Sequence, residues 1–442
     1  MQKPRKRPSR LSAVCSDRRD FLRNLGVIGA VLGLPVFAAD PKPAPHQAKG
    51  RVVIVGGGFG GATCAKYLRR LAPGLEITLI ERSERYVSCP FSNAVIGGLS
   101  TLDRLVQGYG RLSDLHGIKI LHDRVTAIDP AARSIKLQRG LRLPYDRLVV
   151  APGIDLKWGN PEGYDEAASQ FMPHAWQAGP QTVLLRQQLE AMSAGGVVAI
   201  SVPPAPFRCP PGPYERASLI AHYLKAHKPR SKIVILDSND TFSKQALFIE
   251  AWQALYPGLI EWVPISQDGQ VMRIAPKSMT LYTALEKHRV AVANIIPAQQ
   301  AAAIAQTNGL TDETGWCPVN PKTFESTRIQ AIHVLGDACM AGPMPKSASS
   351  TNSQAKICAL AVVAALAGRS PPEPSLHNTC YSLVGPNYGI SISAIYRVNA
   401  RGIVAVEGAG GTSPVGASAE FRTAEARYAE GWFENILADS FG

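Results

Sequence analysis

The fold of this 442-residue chain is decided by one stretch, Arg51-Val52-Val53-Ile54-Val55-Gly56-Gly57-Gly58-Phe59-Gly60-Gly61. An apolar strand that leads directly into clustered glycines predicts the first turn of a dinucleotide-binding βαβ unit. In such a unit Gly56 makes the tight turn, Gly58 lets the backbone approach a pyrophosphate, and Gly61 lets the helix pack closely on the strand. We therefore expect a Rossmann-like α/β domain here.

The unit continues in the expected order and ends on an acidic residue. A helix through Lys66 and Leu71 is followed by the strand from Ile77 to Ile80 and then by Glu81. A carboxylate at this point can hold a ribose 2′-hydroxyl, which favours FAD or NAD over NADP. This ordered context makes the motif far more specific than an isolated run of glycines.

Two later segments favour FAD. The segment Val334-Leu335-Gly336-Asp337-Ala338 predicts a buried strand that ends in Gly-Asp, and Asp337 at the carboxyl end of a strand in the same sheet can reach a flavin ribitol chain. The segment Leu148-Val149-Val150-Ala151-Pro152-Gly153 resembles the strand that leaves the FAD domain in two-dinucleotide-domain disulfide reductases. Three motifs in this order predict a flavoprotein.

A cysteine follows the βαβ unit in the stretch Tyr86-Val87-Ser88-Cys89-Pro90-Phe91-Ser92-Asn93. This position puts the thiol of Cys89 where the ring of a bound flavin would lie. We therefore consider a bond between Cys89 and the flavin itself.

The first 39 residues predict an export signal rather than part of the fold. A basic region and the run Arg18-Arg19-Asp20-Phe21-Leu22 precede an apolar segment from Leu25 to Phe37, and small residues follow at Ala38 and Ala39. This pattern is typical of the twin-arginine pathway and predicts a periplasmic protein. The apolar run is too short to span a membrane, so no transmembrane segment is expected.

The charge of the chain gives no indication of nucleic-acid binding. About half of the net charge of +13 lies in the predicted signal. A nucleic-acid-binding protein would show a clustered basic face and matching motifs.

The chain has eight cysteines, and Cys15 belongs to the predicted signal. An odd number remains in an oxidising compartment, so at least one thiol lies outside a disulfide. A bond from Cys89 to flavin would account for it. Packing in the apolar interior is predicted for four others: Cys64, Cys317, Cys339 and Cys358.

A second Rossmann-like pattern predicts a second domain, with a strand from Gly196 to Ile200, a helix from Ala217 to Lys225 and a strand from Lys232 to Asp237. The turn after its first strand carries prolines instead of glycines, and prolines lack the amides that a pyrophosphate needs. NAD is therefore not expected to bind there. We predict an α/β fold with two Rossmann-like domains, the FAD domain being discontinuous, plus a small C-terminal α+β interface domain. The predicted boundaries are 50–158 with 311–370 for FAD, 159–310 for the second domain, and 371–442 for the last.

Two other cysteines, Cys209 and Cys380, are not predicted to serve only packing. Cys209 lies within the proline-rich turn, and Cys380 follows the Pro-rich break at Ser370 to Pro374. Glu215, near the start of the following helix, is a candidate base for an incoming thiol or hydrosulfide. It is equally a candidate helix-start carboxylate that satisfies backbone amides. Spacing in the sequence does not show whether Cys209 meets Cys380.

The chain resembles the flavoprotein subunits of flavocytochrome c sulfide dehydrogenase, relatives of sulfide:quinone oxidoreductases, from about Gly50 to Gly442. The motifs that carry the resemblance are Cys89-Pro90-Phe91-Ser92-Asn93, Arg208-Cys209-Pro210-Pro211-Gly212-Pro213-Tyr214-Glu215-Arg216, Gly315-Trp316-Cys317-Pro318-Val319-Asn320-Pro321, Pro345-Lys346-Ser347, Asn352-Ser353-Gln354 and Thr379-Cys380-Tyr381-Ser382.

The resemblance implies a mechanism and its residues. It implies FAD bound covalently as an 8α-S-cysteinyl thioether at Cys89, a redox-active disulfide between Cys209 and Cys380, and Glu215 as the base. Hydrosulfide would open the disulfide, and two electrons would pass to FAD. Helix amides after Lys346 would stabilise the anionic reduced flavin; an ordinary helix-start lysine is the alternative.

The resemblance also implies a partner. The chain has no Cys-x-x-Cys-His segment for a haem of its own, and no metal site is predicted. A separate c-type cytochrome subunit is therefore the expected electron acceptor.

Three other functions remain open. A membrane sulfide:quinone oxidoreductase would share the flavin and the disulfide, although the segment from Ala424 to Phe441 is more acidic than a membrane-surface helix. A flavoprotein of the periplasmic thiosulfate-oxidising system is a second possibility. An exported electron-transfer flavoprotein without sulfide chemistry is the third.

Overall fold

The computed structural model describes residues 48–442, so the predicted export signal lies outside the described residues. The helices are α1 Phe59–Leu71, α2 Ser92–Ile96, α3 Gly110–His116, α4 Pro180–Ala191, α5 Gly212–His227, α6 Gln245–Leu255, α7 Ala303–Thr307, α8 Ala348–Leu366 and α9 Ala419–Phe441. Among residues 48–442, none of the helices has the length and apolar character needed to cross a bilayer.

The first half of the described chain is rich in short strands. They are β1 Gly50–Val55, β2 Leu75–Ile80, β3 Arg85–Val87, β4 Val106–Gly108, β5 Lys119–Leu121, β6 Val125–Asp129, β7 Ser134–Leu137, β8 Arg142–Pro144, β9 Arg147–Val150, β10 Ile154–Leu156, β11 Val197–Val202 and β12 Lys232–Asp237.

The remaining strands complete the sheets. They are β13 Ile260–Val263, β14 Arg273–Ala275, β15 Thr280–Tyr282, β16 Lys287–Arg289, β17 Val292–Ile295, β18 Gln299–Ala301, β19 Cys317–Pro318, β20 Ile332–Val334, β21 Cys339–Met340, β22 Ser375–Gly385, β23 Tyr388–Asn399 and β24 Gly402–Thr412.

A five-stranded parallel sheet forms the first lobe, in the order β20, β9, β1, β2, β5. Its centre is strand β1, where Val52 and Ile54 are fully buried because neighbouring strands cover both edges and helices cover the faces. Strand β20 joins this sheet from far along the chain and pairs with β9. The sheet is therefore built from two separate pieces of sequence.

A second parallel sheet, in the order β13, β12, β11, β17, forms the second lobe. The antiparallel pair β10 and β18 connects the lobes, with Ile154 opposite Ala301. Helix α5 begins at Gly212, five residues before the predicted start. The reason is local, because a proline such as Pro213 has the fixed φ that the first turn of a helix requires.

The C-terminal part is an antiparallel sheet, β22, β23, β24, followed by α9. Helix α9 returns to the first lobe, where the ring of Phe441 lies 5.3 Å from that of Tyr86 and 5.6 Å from that of Phe59. Aromatic pairs at these distances add stability beyond the buried area. The predicted fold class, two parallel Rossmann-like sheets with a small C-terminal α+β part, is confirmed.

Candidate functional site

The glycine-rich turn forms a cradle that no larger residue would fit. Gly56 has a φ of +97°, and a Cβ on it would lie 2.3 Å from the carbonyl oxygen of Ala151. A Cβ on Gly61 would lie 1.8 Å from the carbonyl oxygen of Gly56. Helix α1 can therefore approach the strand closely, and its N-terminus points its free amides at the space above Gly58.

A cavity of about 660 Å³ opens over this cradle. The residues predicted to bind the cofactor lie mostly on its wall: Gly56, Gly58, Glu81, Cys89 and Asp337. The carboxylate of Glu81 accepts hydrogen bonds from the backbone amides of Gly57, at 2.8 Å, and Ser83, at 3.0 Å. These bonds hold the carboxylate at the end of β2, where the predicted ribose contact would be made.

Asp337 lies in a turn after β20, three residues beyond the end of the strand that was predicted to include it. Gly336, with a φ of +79°, makes this turn. The Oδ1 atom of Asp337 is buried and has no hydrogen-bond partner, and burial raises the pKa of the carboxyl. A buried oxygen without a partner on a cavity wall is suited to a ligand hydroxyl, as the ribitol chain of FAD would supply.

Lys346 lies just before α8 and is held by the turn that carries Asp337. Its Nζ donates to the carbonyl oxygens of Asp337, at 2.9 Å, and Cys339, at 3.0 Å, and lies 3.6 Å from the centre of the Trp316 ring. Burial lowers the pKa of Lys346. The glycine cradle and the unpartnered carboxylate oxygen of Asp337 fit FAD, whereas Lys346 supports the turn behind the cavity wall and does not line the cavity.

Cys89 follows strand β3 and lies on the cavity wall beside Arg208. Its Sγ is 3.8 Å from the carbonyl oxygen of Trp176. Nη1 of Arg208 lies 3.9 Å from Oδ2 of Asp337. The thiol is partly exposed and opens to the space that the cofactor would occupy, so its predicted attachment is sterically accessible.

Cys209 and Cys380 are brought into one cluster from different parts of the chain. Cys209 has a φ of +56°, and its amide donates to the carbonyl oxygen of Lys346 at 2.8 Å. Cys380 lies in the middle of β22, opposite Ile392. Burial raises the pKa of both thiols, and negative charge on Cys380 raises that of Cys209 further. Both are unpaired thiols in the structure, so the disulfide between them stays a prediction.

Glu215 lies in the first turn of α5, yet its carboxylate is not used to cap that helix. Oε1 accepts a hydrogen bond from the backbone amide of Leu383 at 2.8 Å, and Oε2 accepts one from Nδ2 of Asn93 at 2.8 Å. Burial raises the pKa of this carboxyl, and the two hydrogen bonds oppose the rise. The helix-start role is therefore wrong for this carboxylate, and its role as a base stays a prediction.

Three residues of this cluster had no role predicted from the sequence: Asn93, Arg216 and Lys244. Arg216 is fully buried and donates to Oδ1 of Asn93 at 3.0 Å, which orients the amide toward Glu215. Both residues occur in motifs quoted above, so their identity was visible although their contact was not. Lys244 reaches the strand that carries Cys380, and its Nζ donates to Oγ of Ser382 at 2.8 Å. No local pattern marked it.

The other cysteines are buried in neighbouring pairs. Cys317 and Cys339 are register partners in β19 and β21, and burial raises the pKa of each thiol to about 12. Cys64 in α1 and Cys358 in α8 are fully buried and interact through their thiols. Cys209 and Cys380 form the third pair of neighbouring thiols. Among the cysteines of residues 48–442, Cys89 is the one that belongs to none of these three pairs.

The fold and the site together define a class of protein. Two parallel dinucleotide-type sheets, a cavity that fits FAD and a cluster of two thiols with a carboxylate are features of flavin-dependent oxidoreductases that act on sulfur. Residues 50–173 match the pyridine nucleotide-disulphide oxidoreductase family.

Two further segments match a narrower family. Residues 182–297 match the central part of the sulfide dehydrogenase [flavocytochrome c] flavoprotein chain, and residues 372–441 match the flavin-binding part of flavocytochrome c sulphide dehydrogenase. The flavoprotein chain of that enzyme from Chlorobaculum thiosulfatiphilum is 64% identical over 45 residues, which cover 10% of this chain and 94% of the relative's sequence. The chain therefore belongs to the family of flavocytochrome c sulfide dehydrogenase flavoprotein chains, as the resemblance predicted.

More distant relatives cover most of the chain. The mitochondrial sulfide:quinone oxidoreductase of Mus musculus is 23% identical over 326 residues, 69% of each protein. The solved structure of sulfide:quinone oxidoreductase from Aquifex aeolicus superimposes with a TM-score of 0.68 at 16% identity, covering 88% of this chain and 92% of the other.

Proposed function

We propose that this chain is the flavoprotein subunit of a periplasmic sulfide dehydrogenase, which oxidises hydrogen sulfide through Cys209 and Cys380 and passes the electrons to a c-type cytochrome subunit. The observation that carries the proposal is the convergence of Cys209, Glu215 and Cys380 in one partly buried cluster within a flavocytochrome c sulfide dehydrogenase family member.

The cluster supplies the groups that sulfide oxidation needs. In the oxidised site, a hydrosulfide ion attacks the sulfur of Cys209, a new S–S bond forms to the incoming sulfur, and the bond between Cys209 and Cys380 breaks. The products are a persulfide on Cys209 and a thiolate on Cys380, so atoms and charge balance. Glu215 accepts the proton when hydrogen sulfide rather than hydrosulfide enters, because its carboxylate lies in the same cluster.

FAD, when bound, would supply an acceptor for two electrons that can pass them on one at a time. Cys89 would hold FAD through a thioether to its 8α carbon. Asp337 would accept a hydrogen bond from the ribitol chain and Glu81 one from the ribose, while Lys346 would hold the turn that carries Asp337. Gly56, Gly58 and Gly61 give the pyrophosphate access to the amides of α1.

Two observations support a cytochrome as the acceptor. A relative at 64% identity is named as the flavoprotein chain of a flavocytochrome. Apolar side chains of α9, including Phe433, Ile436 and Phe441, are buried within the protein, which leaves them unavailable for insertion into a bilayer. The periplasmic location rests on the twin-arginine pattern of the first 39 residues.

A quinone acceptor is the second candidate, because sulfide:quinone oxidoreductases cover most of the chain. Stopped-flow mixing separates the two. Sulfide should bleach the flavin of the wild-type protein, and a periplasmic c-type cytochrome should restore its colour quickly, while NAD⁺ and a soluble quinone act slowly. Rapid recovery with quinone and none with cytochrome would assign the chain to the quinone enzymes.

The role of the cysteines needs its own test. Cys209→Ser and Cys380→Ser should each abolish bleaching by sulfide while dithionite still bleaches the flavin. If either variant responds to sulfide at the wild-type rate, the proposed chemistry is wrong even if the acceptor is a cytochrome.

A further inference from the structure

A buried lysine from the second lobe lies beneath the strand that carries Cys380. Lys244 is the residue just before helix α6, with a φ of +62°, and only 7% of it is exposed. Its Nζ donates to Oγ of Ser382 at 2.8 Å and lies 3.4 Å from the carbonyl oxygens of both Cys380 and Ile390. Ser382 and Ile390 face each other in the pairing of β22 with β23, so the ammonium group ends inside the C-terminal sheet.

A buried ammonium group is costly unless charge of the opposite sign lies near it. The hydroxyl and carbonyl partners of Lys244 are neutral dipoles and supply only part of that compensation. The groups nearby that can carry negative charge are, in decreasing order of their effect on Lys244, Cys380, Glu215, Cys209 and Glu425. Nζ is held against β22 by Ser382 and by the carbonyl oxygen of Cys380, so the thiolate form of Cys380 has the strongest attraction to this lysine among these groups.

The influence on the two cysteines is unequal. For Cys380, the charge of Lys244 is the largest effect that opposes the rise in pKa caused by burial. For Cys209, the effects of Cys380 and Glu215, which both raise the pKa, exceed that of Lys244. Negative charge is therefore better stabilised on Cys380 than on Cys209.

We propose that Lys244 is a positioning residue which holds positive charge beside Cys380, so that incoming sulfur bonds to Cys209 and the sulfur of Cys380 leaves as the thiolate. In thiol–disulfide exchange the more acidic thiol is the better leaving group. Because the thiolate is better stabilised on Cys380, attack is directed to the sulfur of Cys209. The incoming sulfur keeps its electron pair in the new bond to Cys209, and the pair of the broken bond stays on Cys380. The inference rests on the proposed function of the pair, but its electrostatic part is independent of sulfide.

The test measures thiol reactivity in the reduced full-length protein with its flavin bound. Alkylation of Cys380 by iodoacetamide is followed from pH 6 to pH 10 by peptide mass spectrometry in wild type, Lys244→Met and Lys244→Arg. Because a change of one pKa unit alters the thiolate fraction tenfold, Lys244→Met should react about tenfold more slowly at Cys380 near pH 7. Lys244→Arg keeps the charge and should stay within about threefold of wild type.

Controls separate this role from a purely structural one. Lys225→Met makes the same chemical change on an exposed residue of the second lobe and should leave the profile unchanged. Should Lys244→Met fail to fold, Ser382→Ala removes the shortest hydrogen bond to Nζ, keeps the charge, and should shift the profile in the same direction by less. A wild-type profile in folded Lys244→Met overturns the inference. If Lys244→Met does not fold, a wild-type profile in Ser382→Ala overturns it.

A sulfide experiment distinguishes the two hypotheses. If the alkylation profile shifts but sulfide never bleaches the wild-type flavin, the electrostatic role stands and the proposed function fails. If sulfide bleaches the wild-type flavin and the profile is unmoved, the function stands and the role of Lys244 is overturned.

Discussion

Nδ2 of Asn93 donates a 2.8 Å hydrogen bond to Oε2 of Glu215, although 122 residues separate the two in the chain. The bond joins the short helix α2, which follows Cys89, to the first turn of α5, which follows Cys209. It therefore connects the predicted cofactor attachment site to the predicted base. Replacing either Glu215 or Asn93 tests what this bond contributes to activity and to stability.

Glu215→Gln should slow the reduction of flavin by sulfide by about a hundredfold, the lower end of the effect of losing a general base. Because burial raises the pKa of Glu215, the wild-type rate should fall as the pH drops through that raised value, where the base becomes protonated. The glutamine variant should lose this dependence. Rates from single-turnover bleaching between pH 5 and 9 test this, with exposed Glu166→Gln as the control.

The same raised pKa predicts the pH dependence of stability. The folded protein holds the proton of Glu215 more tightly than the unfolded chain does, so this contribution to stability is fully present below the usual pKa of 4.5 and is lost as pH rises through the folded pKa. Urea unfolding should therefore show a smaller loss of stability above pH 4.5 in Glu215→Gln than in wild type. An equal loss in both proteins would contradict the raised pKa.

Asn93→Ala should destabilise the protein by about 1 to 3 kcal/mol, because Oε2 of Glu215 and Nε of Arg216 both lose a buried partner. It should also move the acid limb of the rate profile to higher pH, because one hydrogen bond that favours the carboxylate is gone. Denaturant unfolding and the rate profile measure the two effects. Asn399→Ala, at the exposed end of β23, is the matched control.

Acid precipitation of the wild-type protein should leave yellow colour in the pellet, because the proposed thioether to Cys89 survives unfolding. Cys89→Ser should release all flavin into the supernatant, whereas Cys209→Ser should retain it. The absorbance of pellet and supernatant at the flavin maximum gives the result. Complete release from the wild type would exclude covalent attachment.

Phe441→Ala should lower the free energy of unfolding by roughly 3 to 5 kcal/mol, as removal of a buried phenylalanine side chain usually does. Only 3% of this residue is exposed, and its ring contacts those of Tyr86 and Phe59 beside the cofactor cavity. The variant should therefore also retain less flavin after purification. Tyr428→Ala, on the same helix but 61% exposed, should change neither denaturant stability nor flavin content noticeably.

Cys317 and Cys339 should resist iodoacetamide at pH 8 in the folded protein, because burial raises the pKa of each thiol to about 12. Both should react once the chain is unfolded in guanidinium. Cys317→Ala should still be bleached by sulfide. Loss of bleaching in a folded Cys317→Ala that still binds flavin would place this pair in the reaction.

Local patterns in the sequence were sufficient to predict the two parallel sheets and the glycine-rich turn. Strand β1, its glycines and Glu81 follow one another within about 30 residues, so their spacing alone implies their geometry. The proline-filled turn likewise identified Cys209 as unusual. The structural roles of these elements depend on neighbours in the chain.

The remaining contacts are tertiary, and no local pattern encodes them. Lys244 and Ser382 are 138 residues apart, and Glu215 and Leu383 are 168 apart. A lysine before a helix is ordinarily solvated, so nothing near Lys244 indicated that its side chain would cross into another sheet. The turn after β20 was placed inside the strand for a related reason, because a positive φ at Gly336 is not determined by apolar periodicity.

Two distant segments, which carry Asn93 and Leu383, meet at Glu215, and this also affects when the site becomes reactive during folding. Ordering contacts between positions this far apart is slow, since the entropy of closing long loops is lost before the contacts form. In a chain that has formed only its first sheet, we expect Cys209 and Cys380 to react as independent thiols. A change in the reactivity of these thiols should therefore report that β24 and α9 have packed against the rest of the molecule.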